Sequence, residues 1–108
     1  MTLVALAGGS GKLGRIIRSV IDETPGYEVT TVLGSASAPS DIAGAELVVD
    51  ATNLEASEKI VREAIARRIP VLVATSGWSA EKIAEIAPLA DEAGVAIVII
   101  PNFSLGSV

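Results

Sequence analysis

The chain has 108 residues, half of them hydrophobic but only 3% aromatic, with a net charge of −5 and neither cysteine nor histidine. That length suits one domain over 1–108 with an aliphatic core, burying roughly 65% of its unfolded surface. The composition excludes disulfides and thiolate metal centres, removes the commonest general base, and shows no basic patch for nucleic acid or an anionic membrane. The first residues lack the regions of a secretory signal and no apolar run reaches membrane-spanning length, so a cytoplasmic protein is expected.

Residues 3–7, Leu3-Val4-Ala5-Leu6-Ala7, form a short continuous apolar run, the pattern of a strand buried on both faces. Gly8-Gly9-Ser10-Gly11-Lys12-Leu13-Gly14 follows. Leu13, Ile16, Ile17, Val20 and Ile21 then recur at helical spacing, until Pro25-Gly26 stops the helix. Residues 27–33 are rich in β-branched side chains and read as the second strand. Residues 34–40 are small and polar, a loop.

Residues 47–50 read as a third strand. Thr52-x-x-Glu55 has capping-box spacing and opens a helix with the stripe Ala56, Ile60, Val61, Ala64 and Ile65. Residues 71–74 read as strand four. Ser79 is the expected N-cap of a helix carrying Ile83, Ile86 and Ala90. Pro88 is expected to kink or split it, since proline lacks the N–H and clashes with the preceding turn. Gly94 ends that helix, 95–100 read as strand five, and 101–108 form an apolar, glycine-containing tail.

Strands alternating with helices imply an α/β fold: a Rossmann-like, doubly wound parallel sheet of about five strands. The favoured order is 2-1-3-4-5, with the 34–40 loop crossing the sheet and a ligand crevice at the carboxyl ends between strands one and three.

The order strand, glycine turn, helix places backbone N–H groups and a helix N-terminus against a phosphate. Gly9-x-Gly11-x-x-Gly14 and Gly8-x-x-Gly11-x-x-Gly14 both occur, spacings that suit a dinucleotide. The bland alternative is a tight turn with no ligand. Lys12 and Arg15 either add charge near a phosphate or are solvated. After strand two stands Gly34-Ser35-Ala36-Ser37, with no carboxylate for the ribose hydroxyls. A phosphorylated ribose meets no repulsion there, and Ser35, Ser37 and Lys12 are candidate contacts, which tilts the reading toward NADP over NAD. Asp50-Ala51-Thr52-Asn53, Ala74-Thr75-Ser76-Gly77-Trp78 and Ile100-Pro101-Asn102-Phe103-Ser104 follow the next three strands and face the same edge. Their hydroxyl and amide groups suit ribose and carboxamide. Asp50 is either a turn cap or a general base. Trp78 and Phe103 pack in the core or a lid, or meet a nicotinamide ring.

Together these segments resemble the N-terminal domain of the dihydrodipicolinate reductase family. Its G-x-x-G-[RK]-[ML]-G appears as Gly8-Gly9-Ser10-Gly11-Lys12-Leu13-Gly14, and its D-F-T as Asp50-Ala51-Thr52. Its G-T-T-G appears as Ala74-Thr75-Ser76-Gly77, and its A-P-N-F-S-x-G as Ile100-Pro101-Asn102-Phe103-Ser104-Leu105-Gly106. The resemblance implies NADP or NAD as cofactor, with Gly8, Gly9, Ser10, Gly11, Lys12 and Leu13 at the pyrophosphate. It implies Gly34, Ser35 and Thr52 among the cofactor contacts. Ala74, Thr75, Ser76 and Ile100, Pro101, Asn102, Phe103 would line the nicotinamide half. Ala74 stands where the family has glycine, Ala51 where it has an aromatic residue, and Gly34 where an acidic residue is usual.

The resemblance also implies that the histidine-rich catalytic segment and the substrate loop lie in a second domain, beyond the last motif. With no histidine, this chain is expected to hold no catalytic and no metal-binding residue. It is expected to be inactive alone: the NAD(P)H-binding part of an oxidoreductase of lysine and diaminopimelate biosynthesis. In the family the chain returns to the first domain after the second, so exposed apolar surface and a homo-oligomer are expected. Two alternatives stand beside it: the cofactor domain of another amino-acid dehydrogenase, and a non-enzymatic nucleotide-binding domain.

Overall fold

The computed structural model describes residues 2–8, 11–34, 38–75 and 77–99. Five parallel strands form one sheet in the order β2-β1-β3-β4-β5, as expected. They are β1 (Thr2–Ala7), β2 (Tyr27–Leu33), β3 (Leu47–Asp50), β4 (Val71–Val73) and β5 (Ile97–Ile99). The helices are α1 (Lys12–Glu23), α2 (Leu54–Ala66) and α3 (Ala80–Ala93). The register aligns Leu33, Ala7, Asp50, Val73 and Ile99 as the last row of the sheet. Gly34, Gly8, Ala51 and Ala74 therefore step off one common edge.

Central β1 is buried through Val4, Ala5, Leu6 and Ala7, and side-chain alternation sends these to opposite faces. Ala5, Ala7, Val48, Val71 and Val73 meet α2 and α3, chiefly Val61, Ala64 and Ile86. The 34–40 connection continues into a 3₁₀ turn, Pro39–Ile42, not expected from the sequence. It seats fully buried Ile42 in this same layer. On the opposite face Val4, Leu6 and Val49 meet α1 through Ile17 and Ile21. Only α1 covers that face among the described residues, and an open apolar groove of about 460 Å³ lies beside it, reaching Leu72 and Ala74.

Three local expectations are corrected. Thr52 does not cap α2; the Asn53 side chain accepts the Ala56 N–H at 2.9 Å, and the Thr52 hydroxyl turns to Asp50. Pro88 does not split α3, which runs as one helix. Both Pro88 and Ala84 are exposed, so the carbonyl that loses its donor lies where water reaches it. Strand five starts at Ile97, because the Val95 N–H closes the helix end on Ala90 O at 2.9 Å around left-handed Gly94 (φ +70°).

The end of α2 uses the same closure, with Ile69 N–H on Ala64 O at 2.8 Å, but its left-handed residue is Arg68 (φ 58°). That conformation costs a non-glycine residue about 1–2 kcal/mol, part of which glycine offsets through its greater unfolded freedom. Arg68→Gly is expected to stabilise the chain by about 0.5 kcal/mol in urea unfolding. A loss of stability would contradict this.

Candidate functional site

The glycine turn is shaped by backbone contact. Gly8 has φ +84°, and a Cβ placed on it would lie 2.3 Å from Ala51 O and 2.7 Å from Ala51 C. Its N–H bonds Leu33 O at 3.0 Å, and Ala51 N–H bonds Ala7 O at 2.9 Å. The turn is thus clamped between the ends of β2 and β3, and only glycine fits. Gly11 is the N-cap of α1 and has no side chain to cap it; among the described residues a Cβ there would meet only Gly8 O, at 3.7 Å.

The first turn of α1 holds no acidic residue. Its leading N–H groups and positive dipole end face the edge with no side-chain acceptor among the described residues. Five of the eight cationic side chains (Arg18, Lys59, Arg62, Arg67 and Lys82) pair with carboxylates. Lys12 and Arg15, exposed at this helix end, form no ion pair among the described residues. A glycine-lined approach, free donors and uncommitted cations fit a pyrophosphate.

Asp50 organises the neighbouring crest. It is fully buried at the end of β3. Oδ1 accepts the Thr52 hydroxyl at 2.5 Å and the Thr52 N–H at 3.2 Å, and Oδ2 accepts the Ser57 hydroxyl. Ser57 Oγ in turn accepts Trp78 Nε1–H at 2.8 Å. Thr75 Oγ1 accepts the Thr52 N–H at 2.9 Å and donates to Asp50 O at 3.3 Å, and Ala74 N–H bonds the same carbonyl at 2.7 Å. Asp50 is therefore a turn cap with both carboxylate oxygens engaged. Trp78 packs against the α2–α3 core, held by Ser57.

Gly8, Gly11, Lys12, Gly34, Thr52, Ala74 and Thr75 all gather at this edge. Among the described residues nothing stands within 4 Å of a Cβ at Gly34. Thr52 is half-buried, whereas Ala74 and Thr75 are each 3% exposed and the Thr75 hydroxyl is engaged inward. Leu13 sits in the first turn of α1 by its backbone. Gly9, Ser10, Ser35, Ser37, Ser76, Ile100, Pro101, Asn102 and Phe103 lie outside the described residues. Ser57 was missed by sequence reasoning. Its signal was its spacing, since it shares a helix face with Ile60, Val61 and Ala64. No helix among the described residues is long and apolar enough to cross a membrane.

A sequence profile for the family described as dihydrodipicolinate reductase, N-terminus, matches residues 2–103. The 4-hydroxy-tetrahydrodipicolinate reductase of Clavibacter michiganensis is 39% identical over 99% of this chain and 39% of its own length. That of Cutibacterium acnes is 30% identical over 100% of this chain and 44% of its own length. The chain thus spans less than half the length of these curated relatives. Among solved structures, the saccharopine dehydrogenase (L-Glu forming) of Saccharomyces cerevisiae superposes with a TM-score of 0.74 at 13% identity. It covers 92% of this chain and 27% of that one, a likeness of fold.

Proposed function

Since the chain belongs to the dihydrodipicolinate reductase family, we propose that it is the nicotinamide-dinucleotide-binding domain of such a reductase. The observation that carries this reading is the α1 N-terminus, which no described side chain caps, set behind Gly8, where Ala51 leaves no room for a side chain. The leading N–H groups of α1 and Lys12 bind the pyrophosphate, and the crest from Thr52 to Thr75 orients the nicotinamide half. The nicotinamide supplies hydride for an unsaturated cyclic imine or dienyl acid. Residues 1–108 contain no histidine and contribute no catalytic residue to this scheme; they bind and orient. Titrating the full chain with NADPH and NADH, followed by nicotinamide fluorescence, is expected to show saturable binding. Binding of neither at millimolar concentration would refute the reading.

NADPH is the preferred cofactor in this proposal, because no carboxylate stands at Gly34 to bond ribose hydroxyls or repel a 2′-phosphate. Among the described residues nothing stands within 4 Å of a Cβ at Gly34, which leaves room for Gly34→Asp. That variant is expected to weaken NADPH by about tenfold or more while sparing NADH, the effect of one like-charge encounter near the surface. Equal effects on both would contradict the preference.

Self-association is the companion proposal. Val20 is 57% and Val98 54% exposed, and Val20 lines the open groove beside α1. Apolar surface of this kind favours burial against another copy. Sedimentation at rising concentration tests it; a monomer throughout would contradict it.

A further inference from the structure

Asp50 is a fully buried carboxylate, and among the described residues no lysine or arginine forms an ion pair with it. Burying an unpaired charge is costly, and a neutral asparagine of the same shape would cost less. What a carboxylate provides and an amide does not is two oxygens that only accept. Every hydroxyl beside it must therefore donate inward. Ser57 gives its proton to Oδ2, which leaves Oγ to accept from Trp78 Nε1.

Thr52 has two acceptors within reach of its hydroxyl: Asp50 Oδ1 at 2.5 Å and the Asn53 carbonyl at 3.2 Å. The shorter, charge-assisted bond takes the proton. The Thr52 methyl, Cγ2, stands on the Gly8 side, 3.2 Å from where a Gly8 Cβ would be. The half-buried Thr52 oxygen is left with lone pairs only. An oxygen of that polarity repels phosphate and carboxylate oxygens and attracts a neutral O–H or N–H donor.

We propose that Asp50 is a positioning residue that sets the polarity of Thr52, making its hydroxyl an acceptor for a hydrogen-bond donor on the nicotinamide–ribose half of the cofactor. This rests on the cofactor assignment above. Asp50→Asn reverses the polarity. Because Ser57 Oγ already accepts Trp78 Nε1–H, the new amide keeps its oxygen toward Ser57 and turns its NH₂ to Thr52. The Thr52 hydroxyl then accepts from that NH₂ and turns its own proton to the Asn53 carbonyl or outward, so it loses a lone pair to the amide and no longer faces the ligand as a pure acceptor. Thr52→Val removes the group, and Thr52→Ser retains it.

The test is a double-mutant cycle on NADPH binding by the full chain. Asp50→Asn and Thr52→Val are each expected to raise Kd about tenfold, the effect of one lost hydrogen bond in a partly buried site. The double variant is expected to stay near tenfold, because Asp50 acts through Thr52, and Thr52→Ser to bind within about threefold of wild type. If Asp50→Asn does not fold, the contrast between Thr52→Val and Thr52→Ser decides. A penalty that persists with 2′-phospho-ADP-ribose identifies a ribose hydroxyl as the donor; one confined to NADPH identifies the carboxamide. Thr52→Val binding like wild type, or independent penalties that multiply to about a hundredfold, would overturn the proposal. A wild-type chain that binds neither NADPH nor NADH would overturn the cofactor assignment itself.

Discussion

Gly8→Ala is expected to lower the melting temperature by roughly 15 °C or more, read by circular dichroism at 222 nm. Two costs combine. The backbone sits at φ +84°, where a side chain costs about 1–2 kcal/mol. The new methyl would also lie 2.3 Å from Ala51 O, and neither partner is a side-chain tip that can swing aside. Ala51 is tied to Ala7 and Gly8 to Leu33, so relief requires moving strand ends. Overpacking against such atoms adds about 1–3 kcal/mol. The sum is a large fraction of the roughly 5–15 kcal/mol that holds a domain of this kind together. An unchanged melting curve would show that the turn is not pressed against β3.

Gly11→Val separates binding from folding. Gly11 has φ −78° and ψ 169°, backbone that valine adopts readily, and among the described residues its Cβ would meet only an ordinary contact at 3.7 Å. The stability change is expected to stay within about 1 kcal/mol, the scale of exchanging a glycine N-cap for a poor one. The isopropyl group would nevertheless stand over the leading N–H groups of α1, where the pyrophosphate is proposed to sit. NADPH binding is expected to weaken at least about a hundredfold, equivalent to roughly 2.7 kcal/mol of lost phosphate contact. Retained affinity in a folded variant would refute the phosphate assignment.

The strands and their order were legible because short apolar runs, glycine turns and helical stripes alternate without ambiguity. Features settled by tertiary neighbours were not. Thr52 and Asn53 are both good caps, and the choice fell to Asn53 because Asp50, buried beside Thr52, takes the threonine hydroxyl. Ser57 drew no reading from the sequence, because its role depends on the Trp78 indole, which reaches it from another loop. Arg68 carries no sequence sign of a left-handed helix end, a position glycine usually fills. The apolar run of β1 implied burial on both faces, and Val4 to Ala7 are buried; how far β4 is covered was not legible. Two helices cover one face and α1 part of the other, so Leu72 is left half-buried beside the groove. For the site, the sequence placed Gly8, Gly34, Thr52 and Ala74 at one sheet edge, where the strand register puts them, whereas the polarity of Thr52 depends on which neighbour takes one proton.

The central claim is that the carboxyl edge of the sheet grips a nicotinamide dinucleotide. Amide chemical-shift mapping of the 108-residue chain during NADPH titration tests it most directly. The largest shifts are expected at Gly8, Gly11, Lys12, Thr52 and Ala74, saturating together with a single Kd. Shifts confined to Ile17, Val20 and Leu72 along the apolar groove, or no shifts at millimolar NADPH or NADH, would contradict it.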